Sequence, residues 1–508
     1  MLPIDHFFRR AALSPDAIAV VEGERQISFA ELARMANALA AALQSIDPEP
    51  QRRVGVCGYN TFEHLLGWMA VYASGKVWIP LNPRNGAEEL KRIAETVKPS
   101  IIIADADCLD KVTSGAARLL VGKPEGGEIG ELTTIAGLVE RFDGQEPTRP
   151  RLTPDDLQGI KFTGGSSGTP KGCMQTYRVV NTCIASMLVE FEFNGGDRNL
   201  LAAPMTHGTN TLILPIMSQG GAQILMGPSS PAAIIDAIER DRATTCFVPP
   251  TVVYMMMAEP DVETRDFSSM KHLIVGGATI RAAEVPRAMK LFNNSLETCF
   301  GQTEAPQIVT CMRSSDWLEE RNWASTGKAT VLTSIGIMDP QGNLVDSGES
   351  GELVIKGDLV MKGYLDMPDV TEETIIDGWL HTGDVGVIDE RGFLFIKDRI
   401  RDVIITGGFN VYPSDVEAVL GDHPAVQECV VFGLEDDKWG EAVHAAVELH
   451  EGASADEQEI ISYIKQRMDS VKAPKRVHFT DALPRSGVGK VLRREAKVIY
   501  AETHNEAG

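Results

Sequence analysis

The sequence predicts an α/β protein with a large N-terminal domain and a small α+β C-terminal domain. The large domain is expected to hold parallel sheets with flanking helices plus an antiparallel, barrel-like part. Three observations lead there. Short apolar strands alternate with amphipathic or apolar helices for most of the first 330 residues, a rhythm that builds parallel sheets covered on both faces. After about residue 331 short strands are separated by glycine-rich turns, which favours antiparallel pairing. Beyond Arg399 a new series of helices and strands begins. The domains are accordingly 1–398 and 399–508, with a hinge about 399–402, and 508 residues are ample for two cores.

The elements follow in order. Ser28-Phe29-Ala30-Glu31 forms a capping box ahead of Leu32, Met35, Leu39 and Leu43 at helical spacing. Val54–Cys57 reads as a strand, residues 61–74 as an apolar helix, and Val77–Leu81 and Ile101–Ala104 as further strands. Thr244–Val248 and Leu273–Val275 continue the rhythm, and Gly351–Ile355 and Gly392–Ile396 are the short strands of the antiparallel part. In the small domain Asp415–Leu420 and Ile460–Met468 read as helices, and Val426–Phe432 and Ala442–Leu449 as strands.

Composition excludes several classes. The hydrophobic fraction of 43% and charged fraction of 23% suit a soluble globular chain. A net charge of −23 argues against a general nucleic-acid binder, which needs a basic face. The eight cysteines are scattered without a C-x-x-C pair, so reduced, mostly buried thiols of a cytoplasmic protein are expected rather than a metal or disulfide framework. No secretory leader is legible after Met1, and no apolar run approaches the roughly 20 residues of a membrane span. Oligomeric state is not legible; a homodimer stays open.

The run Thr163-Gly164-Gly165-Ser166-Ser167-Gly168-Thr169-Pro170-Lys171-Gly172 follows a strand ending in Phe162. It holds four glycines, four hydroxyls and a lysine. Glycines let backbone N–H groups converge into an anion-binding nest, and hydroxyls and an ammonium add donors, a set suited to polyphosphate. It is not a Walker motif, because Pro170 precedes Lys171 and Gly172 follows it. Such clusters also serve as plain surface loops.

This loop resembles the phosphate loop of the adenylate-forming superfamily, which includes acyl-CoA synthetases, free-standing adenylation domains and beetle luciferases. Further blocks follow in that family's order across essentially the whole chain: Pro204-Met205-Thr206-His207-Gly208, Gly276-Gly277-Ala278, Phe300-Gly301-Gln302-Thr303-Glu304, Trp379-Leu380-His381-Thr382-Gly383-Asp384, Asp398-Arg399-Ile400-Arg401-Asp402, Gly407-Gly408-Phe409-Asn410-Val411-Tyr412-Pro413, and Pro484-Arg485-Ser486-Gly487-Val488-Gly489-Lys490. The chain departs from the usual pattern in having Gly164 for a serine and Phe300 for a tyrosine.

The resemblance implies an AMP-forming carboxylic acid:CoA ligase that uses ATP, Mg²⁺ and CoA, with a mobile small domain. Thr163, Ser166, Ser167, Gly168, Thr169 and Lys171 would hold phosphates. Gly277, Ala278, Phe300, Gly301 and Gln302 would form the adenine side, Asp384 and Arg399 the ribose side, and Glu304 the metal ligand. Lys490, Thr303 and His207 would be catalytic, Lys490 by bringing positive charge to the α-phosphate. Arg401 would be the hinge, and Gly407 and Gly408 would line the CoA tunnel. The acyl pocket would take His207, Thr209, Tyr254, Gly276, Gly277 and Gln302; of Met255, Met256 and Met257 at least one is plain core, since consecutive residues cannot share a helix face. None of these blocks supplies a lysine or arginine, which disfavours a dicarboxylate and leaves an apolar monocarboxylic acid, aromatic or short-to-medium aliphatic. A carrier-protein phosphopantetheine remains an alternative acceptor. A light-emitting oxygenase and a non-catalytic nucleotide-binding module are weaker alternatives. The last block also resembles the motif read by lysine acetyltransferases, which implies modification at Lys490.

Overall fold

The computed structural model describes residues 1–112, 115, 117–128, 130–163, 170–436, 438–485 and 491–505. The chain divides into two compact units, residues 1–335 with 355–380, and residues 336–354 with 381–508. Packing alone thus draws its line at residue 381, ahead of the segment 399–402.

The first unit is built on two sheets. In the six-stranded sheet the order is Arg118–Val121, Ile101–Ala104, Arg53–Cys57, Val77–Leu81, Leu157–Phe162, Gly172–Thr176. Its pairs are parallel except the last, an antiparallel hairpin. The nine-stranded sheet runs Lys328–Ala329, Thr310–Met312, Leu296–Phe300, His272–Gly276, Thr245–Val248, Arg198–Leu201, Ala222–Leu225, Ile18–Glu22, Arg25–Ser28, parallel in the middle and antiparallel at both edges. The predicted strands fall within a residue or two of these bounds.

Helix Phe29–Ile46 begins as the sequence requires, with the Ser28 hydroxyl accepting from the Glu31 N–H. Helix Phe62–Ala73 is buried all round apart from Glu63. A helix apolar on every face belongs in a core. Here it joins Val54 and Ile101 of one sheet and Val20 and Leu201 of the other in one apolar cluster. The helix thus belongs to a core shared by both sheets.

The antiparallel part is formed as expected. Strand Trp379–Ile388 pairs with Ile375–Ile376 in the first unit, and its later residues pair with Leu394–Arg399 in the second, with Asp384 opposite Arg399. The second unit also contains the long hairpin Val426–Asp436/Gly440–Leu449, with Arg476–Phe479 added in parallel and the short hairpin Ile404–Thr406/Phe409–Val411 at the other side. Helices Pro413–Gly421 and Glu457–Lys465 contribute Val416, Leu420, Ile460 and Ile464 to its core. All eight cysteines are buried and free, and no helix among the described residues is long and apolar enough to cross a membrane.

One buried carboxyl braces the edge of the six-stranded sheet. Asp105, 3% exposed, accepts from the Lys123 N–H at 2.9 Å and the Thr61 hydroxyl at 3.2 Å. Burial raises its pKa from 3.8 to about 6 despite those bonds. The folded state therefore holds this proton more tightly than the unfolded chain, and stability drops as pH climbs from about 4 through about 6. Asp105→Asn removes that dependence while keeping an acceptor for Lys123. Denaturant unfolding at pH 4 and pH 7 should show the unmodified protein losing about 2 kcal/mol relative to the variant; parallel changes in the two would contradict this reading.

Candidate functional site

The glycine-rich run is the connection of a β-hairpin. Leu157–Phe162 pairs with Gly172–Thr176, Phe162 opposite Gly172, and the Thr163 N–H donates to the Lys171 carbonyl at 3.0 Å. Ser166, Ser167, Gly168 and Thr169 lie outside the described residues. The two ends of the loop are therefore fixed by backbone pairing.

At its outgoing end the Lys171 ammonium lies 5.0 Å from the Tyr364 ring centroid, a cation–π distance. The Tyr364 hydroxyl donates to the Glu304 carboxylate at 2.7 Å, and the Glu304 carbonyl accepts from the Met361 N–H at 2.7 Å. The Thr303 carbonyl accepts from the Gln175 amide at 2.9 Å, which ties the 300–304 block to the outgoing strand of the hairpin. Cys173 lies beside Glu304; burial and that charge hold its thiol well above the usual range. Lys171, Thr303 and Glu304 are thus gathered around one hairpin, and Tyr364 and Gln175, which do the gathering, stand in no sequence block.

Phe300 ends a strand, and its carbonyl accepts from the Val309 N–H; the Gln302 N–H donates to Ala305. Gly301 is required here, since a Cβ would stand 2.6 Å from the Gln307 nitrogen. The 204–208 segment is held by Asn60, whose amide donates to the Leu201 and Ala203 carbonyls and whose oxygen accepts from the Met205 N–H. His207 is exposed, with its Nδ1 2.9 Å from the Thr206 hydroxyl. The protein around it and the positive charges of Lys161 and Arg84 push its pKa below the ordinary value, so the ring is neutral at pH 7. Thr209 is fully buried and its hydroxyl has no hydrogen-bond partner among the described residues.

Gly208 and Gly276 meet over one ring: a Cβ on either would come within 2.8 Å of Phe247. Phe247 is therefore the wall between two of the expected acyl-pocket blocks, a role no motif announced. Gly277 has φ +84°, the conformation glycine adopts freely. Beyond Ala278 the Arg281 N–H donates to the Tyr254 hydroxyl at 2.7 Å, so Tyr254 braces this loop. Met256 and Met257 are core and Met255 is 54% exposed.

In the second unit, taken by itself, Arg399 Nε lies 2.6 Å from the buried Asp384 carboxylate. Glu352 accepts from the Gly383 N–H and pairs with His381, which holds the turn before Asp384. Arg401 is exposed, 3.7 Å from Asp402. Gly407 (φ +57°) and Gly408 (φ +83°) form the two-residue turn of their hairpin, with Gly407 close under Trp439. Lys490 lies outside the described residues, but its loop is closed by a bridge between Arg485 and Val491 and by the Leu492 N–H donating to Pro484.

Sequence reasoning missed Arg493. Its guanidinium contacts Asp398 at 2.9 Å, Asp402 at 3.1 Å and Glu417 at 2.9 Å. Three acids around one cation tie the 398–402 segment to the helix that follows the lysine loop.

Residues 7–365 match the model of the AMP-binding enzyme family, and residues 415–490 match that of the AMP-binding enzyme C-terminal domain. The chain belongs to this family. It is 34% identical over 491 residues to a feruloyl-CoA synthase of Amycolatopsis, covering 96% of this chain and 97% of that one. It is 32% identical to a medium/long-chain-fatty-acid–CoA ligase of Mycobacterium tuberculosis, covering 94% and 87%. Among solved structures, the o-succinylbenzoate CoA synthetase of Bacillus subtilis in complex with its acyl-adenylate intermediate superposes with a TM-score of 0.87 at 26% identity, over 97% of both chains. The protein is thus an AMP-forming acid–thiol ligase of the acyl-CoA synthetase type, with ATP and CoA as its co-substrates.

The Arg493 cluster gives a direct expectation. Arg493→Ala leaves Asp398, Asp402 and Glu417 facing one another with no guanidinium between them, a loss of about 3 kcal/mol. Thermal or urea unfolding should show it, and a change below about 1 kcal/mol would contradict the assignment.

Proposed function

We propose that this ligase activates an apolar-bodied monocarboxylic acid, aromatic or short-to-medium aliphatic, and transfers it to free CoA. The observation that carries the reading is the Lys171–Tyr364–Glu304 cluster at the closed end of the glycine-rich hairpin, which gathers an ammonium and a carboxylate where a triphosphate needs both. The Phe247 wall between Gly208 and Gly276 supports an apolar pocket, and the relatives named for ferulate and for medium or long fatty acids support both aromatic and aliphatic bodies. A carrier-protein acceptor is the alternative.

In this reading the substrate carboxylate oxygen attacks the α-phosphorus of ATP and the bond to pyrophosphate breaks. The CoA sulfur then attacks the acyl carbon, its proton is lost, and AMP leaves. Little covalent work falls to the protein, so position and charge carry catalysis. Thr163, Ser166, Ser167, Gly168, Thr169 and Lys171 hold the β- and γ-phosphates; Thr303 donates to the α-phosphate. Gly277, Ala278, Phe300, Gly301 and Gln302 take the adenine, and Asp384 the ribose hydroxyls with Arg399 beside it. Thr209, Tyr254, Gly276 and Gln302 take the acyl group, and neutral His207 gates it. Glu304 fits a Mg²⁺ ion: one oxygen is engaged by Tyr364, which orients the carboxylate, and a hard cation completes its sphere with phosphate oxygens and water. The ion would neutralise phosphate charge.

The lid runs from 399 to 508 and turns about Arg401. In one orientation it delivers Lys490 to the α-phosphate, and in the other Gly407 and Gly408 line the thiol's path. Acetylation of Lys490 would remove the charge it brings. The enzyme is assigned to the cytoplasm.

AMP release from a panel of acids, with and without CoA, tests the reading. Release that depends on a carrier protein, or none at all, would overturn it. Lys490→Ala should slow adenylation about a thousandfold while sparing the attack of CoA on preformed acyl-adenylate, so equal loss in both half-reactions argues against that role. Arg401→Pro, which fixes φ, should impair one half-reaction more than the other in single-turnover assays.

A further inference from the structure

Lys161 stands on the strand that leads into the glycine-rich loop, outside every sequence block. It lines a small cavity with Trp68, Tyr72, Gln175, Asn210, Thr211 and Pro306 among its neighbours. Residues next to two of the expected acyl-pocket blocks border this cavity. Asn210 and Thr211 begin the helix after His207, Pro306 follows Glu304, and Gln175 is the residue bonded to the Thr303 carbonyl. The walls from Trp68, Tyr72, Val180, Ile184 and Leu214 are otherwise apolar or aromatic.

The ammonium of Lys161 makes no hydrogen bond and no ion pair among the described residues, and it lies 5.4 Å from the centroid of the Trp78 ring. The ionisable groups coupled to its charge are the thiols of Cys173 and Cys183 and the ring of His207, and the Cys183 Sγ already donates to the Gln307 carbonyl. Lys161 is partly exposed, and its ammonium stands beside apolar and aromatic walls with no counter-ion among the described residues. The protein around it brings its pKa down to about 8, so at neutral pH it is still a charged donor. The free space beside it has room for about one water-sized group.

We infer that Lys161 is a specificity-determining residue, and that the preferred acid carries a hydroxyl or carbonyl oxygen at the end remote from its carboxylate, which accepts a hydrogen bond from the Lys161 ammonium. The inference rests on the acid:CoA ligase reading and sharpens it. The acid keeps an apolar body and one activated carboxylate, and gains one polar point at its far end. An acid without that oxygen leaves the ammonium with no acceptor from the substrate, and sites built around a polar contact discriminate against analogues that lack it.

The test uses matched pairs of acids with the full enzyme, ATP, Mg²⁺ and CoA: cinnamate against 4-hydroxycinnamate, and octanoate against 7-oxooctanoate. In at least one pair the oxygenated member should have a kcat/KM tenfold or more above its parent. Lys161→Met should bring that ratio close to one, mainly by lowering the oxygenated member, while Lys161→Gln, which keeps a donor, should restore part of it. No preference in the unmodified enzyme, or a Lys161→Met variant that slows both members equally, overturns the inference. Should the variants fail to fold, the ratio in the unmodified enzyme decides by itself. Absence of AMP release with every acid overturns the ligase reading and this one with it; release without preference overturns this one alone.

Discussion

A single phenol organises the phosphate end of the first unit. Tyr364 lies under the Lys171 ammonium with its ring and holds the Glu304 carboxylate with its hydroxyl. Without it the two groups would have opposite charge, no fixed separation and every reason to collapse onto each other. With it, cation and anion are both engaged by one neutral, rigid side chain and neither cancels the other. The backbone bond from Met361 to the Glu304 carbonyl brings the Tyr364 segment to that place, and Gln175 pins the neighbouring Thr303 from the other side. The hairpin, the 300–304 turn and the 361–364 strap are in this sense one device.

The same logic recurs in the second unit with the signs reversed. There a cation, Arg493, sits among Asp398, Asp402 and Glu417 and keeps three carboxylates in place. The segment that carries the proposed hinge residue is therefore held by charge rather than by apolar packing. Breaking a buried pair of this kind leaves an uncompensated charge, so the cluster fixes the segment firmly.

Much of this was legible in the residues. The N-cap at Ser28, the all-apolar helix after Thr61 and the β-branched strands gave the alternating fold because periodicity and burial are local properties. The glycines at 276, 277, 407 and 408 were legible as special positions, though only the structure shows that Gly276 is needed for the Phe247 ring and that Gly407 and Gly408 make a two-residue turn. What the sequence hid were residues whose importance comes from tertiary neighbours. Phe247 looks like any strand aromatic, Tyr364 and Gln175 stand apart from the motifs they support, and Arg493 belongs to an unremarkable basic run. Lys161 was hidden for a different reason: searching the blocks for a cation overlooks one on the strand beside them.

The cysteines have a practical consequence. All eight are buried and none is paired, so in the folded protein each thiol is screened from reagents dissolved in the surrounding water. Because they are spread over both units, from Cys57 to Cys429, a bulky alkylating agent becomes a reporter of where and when the chain opens. The order in which these sulfur atoms become labelled on warming would read out, peptide by peptide, which half of the molecule lets go first.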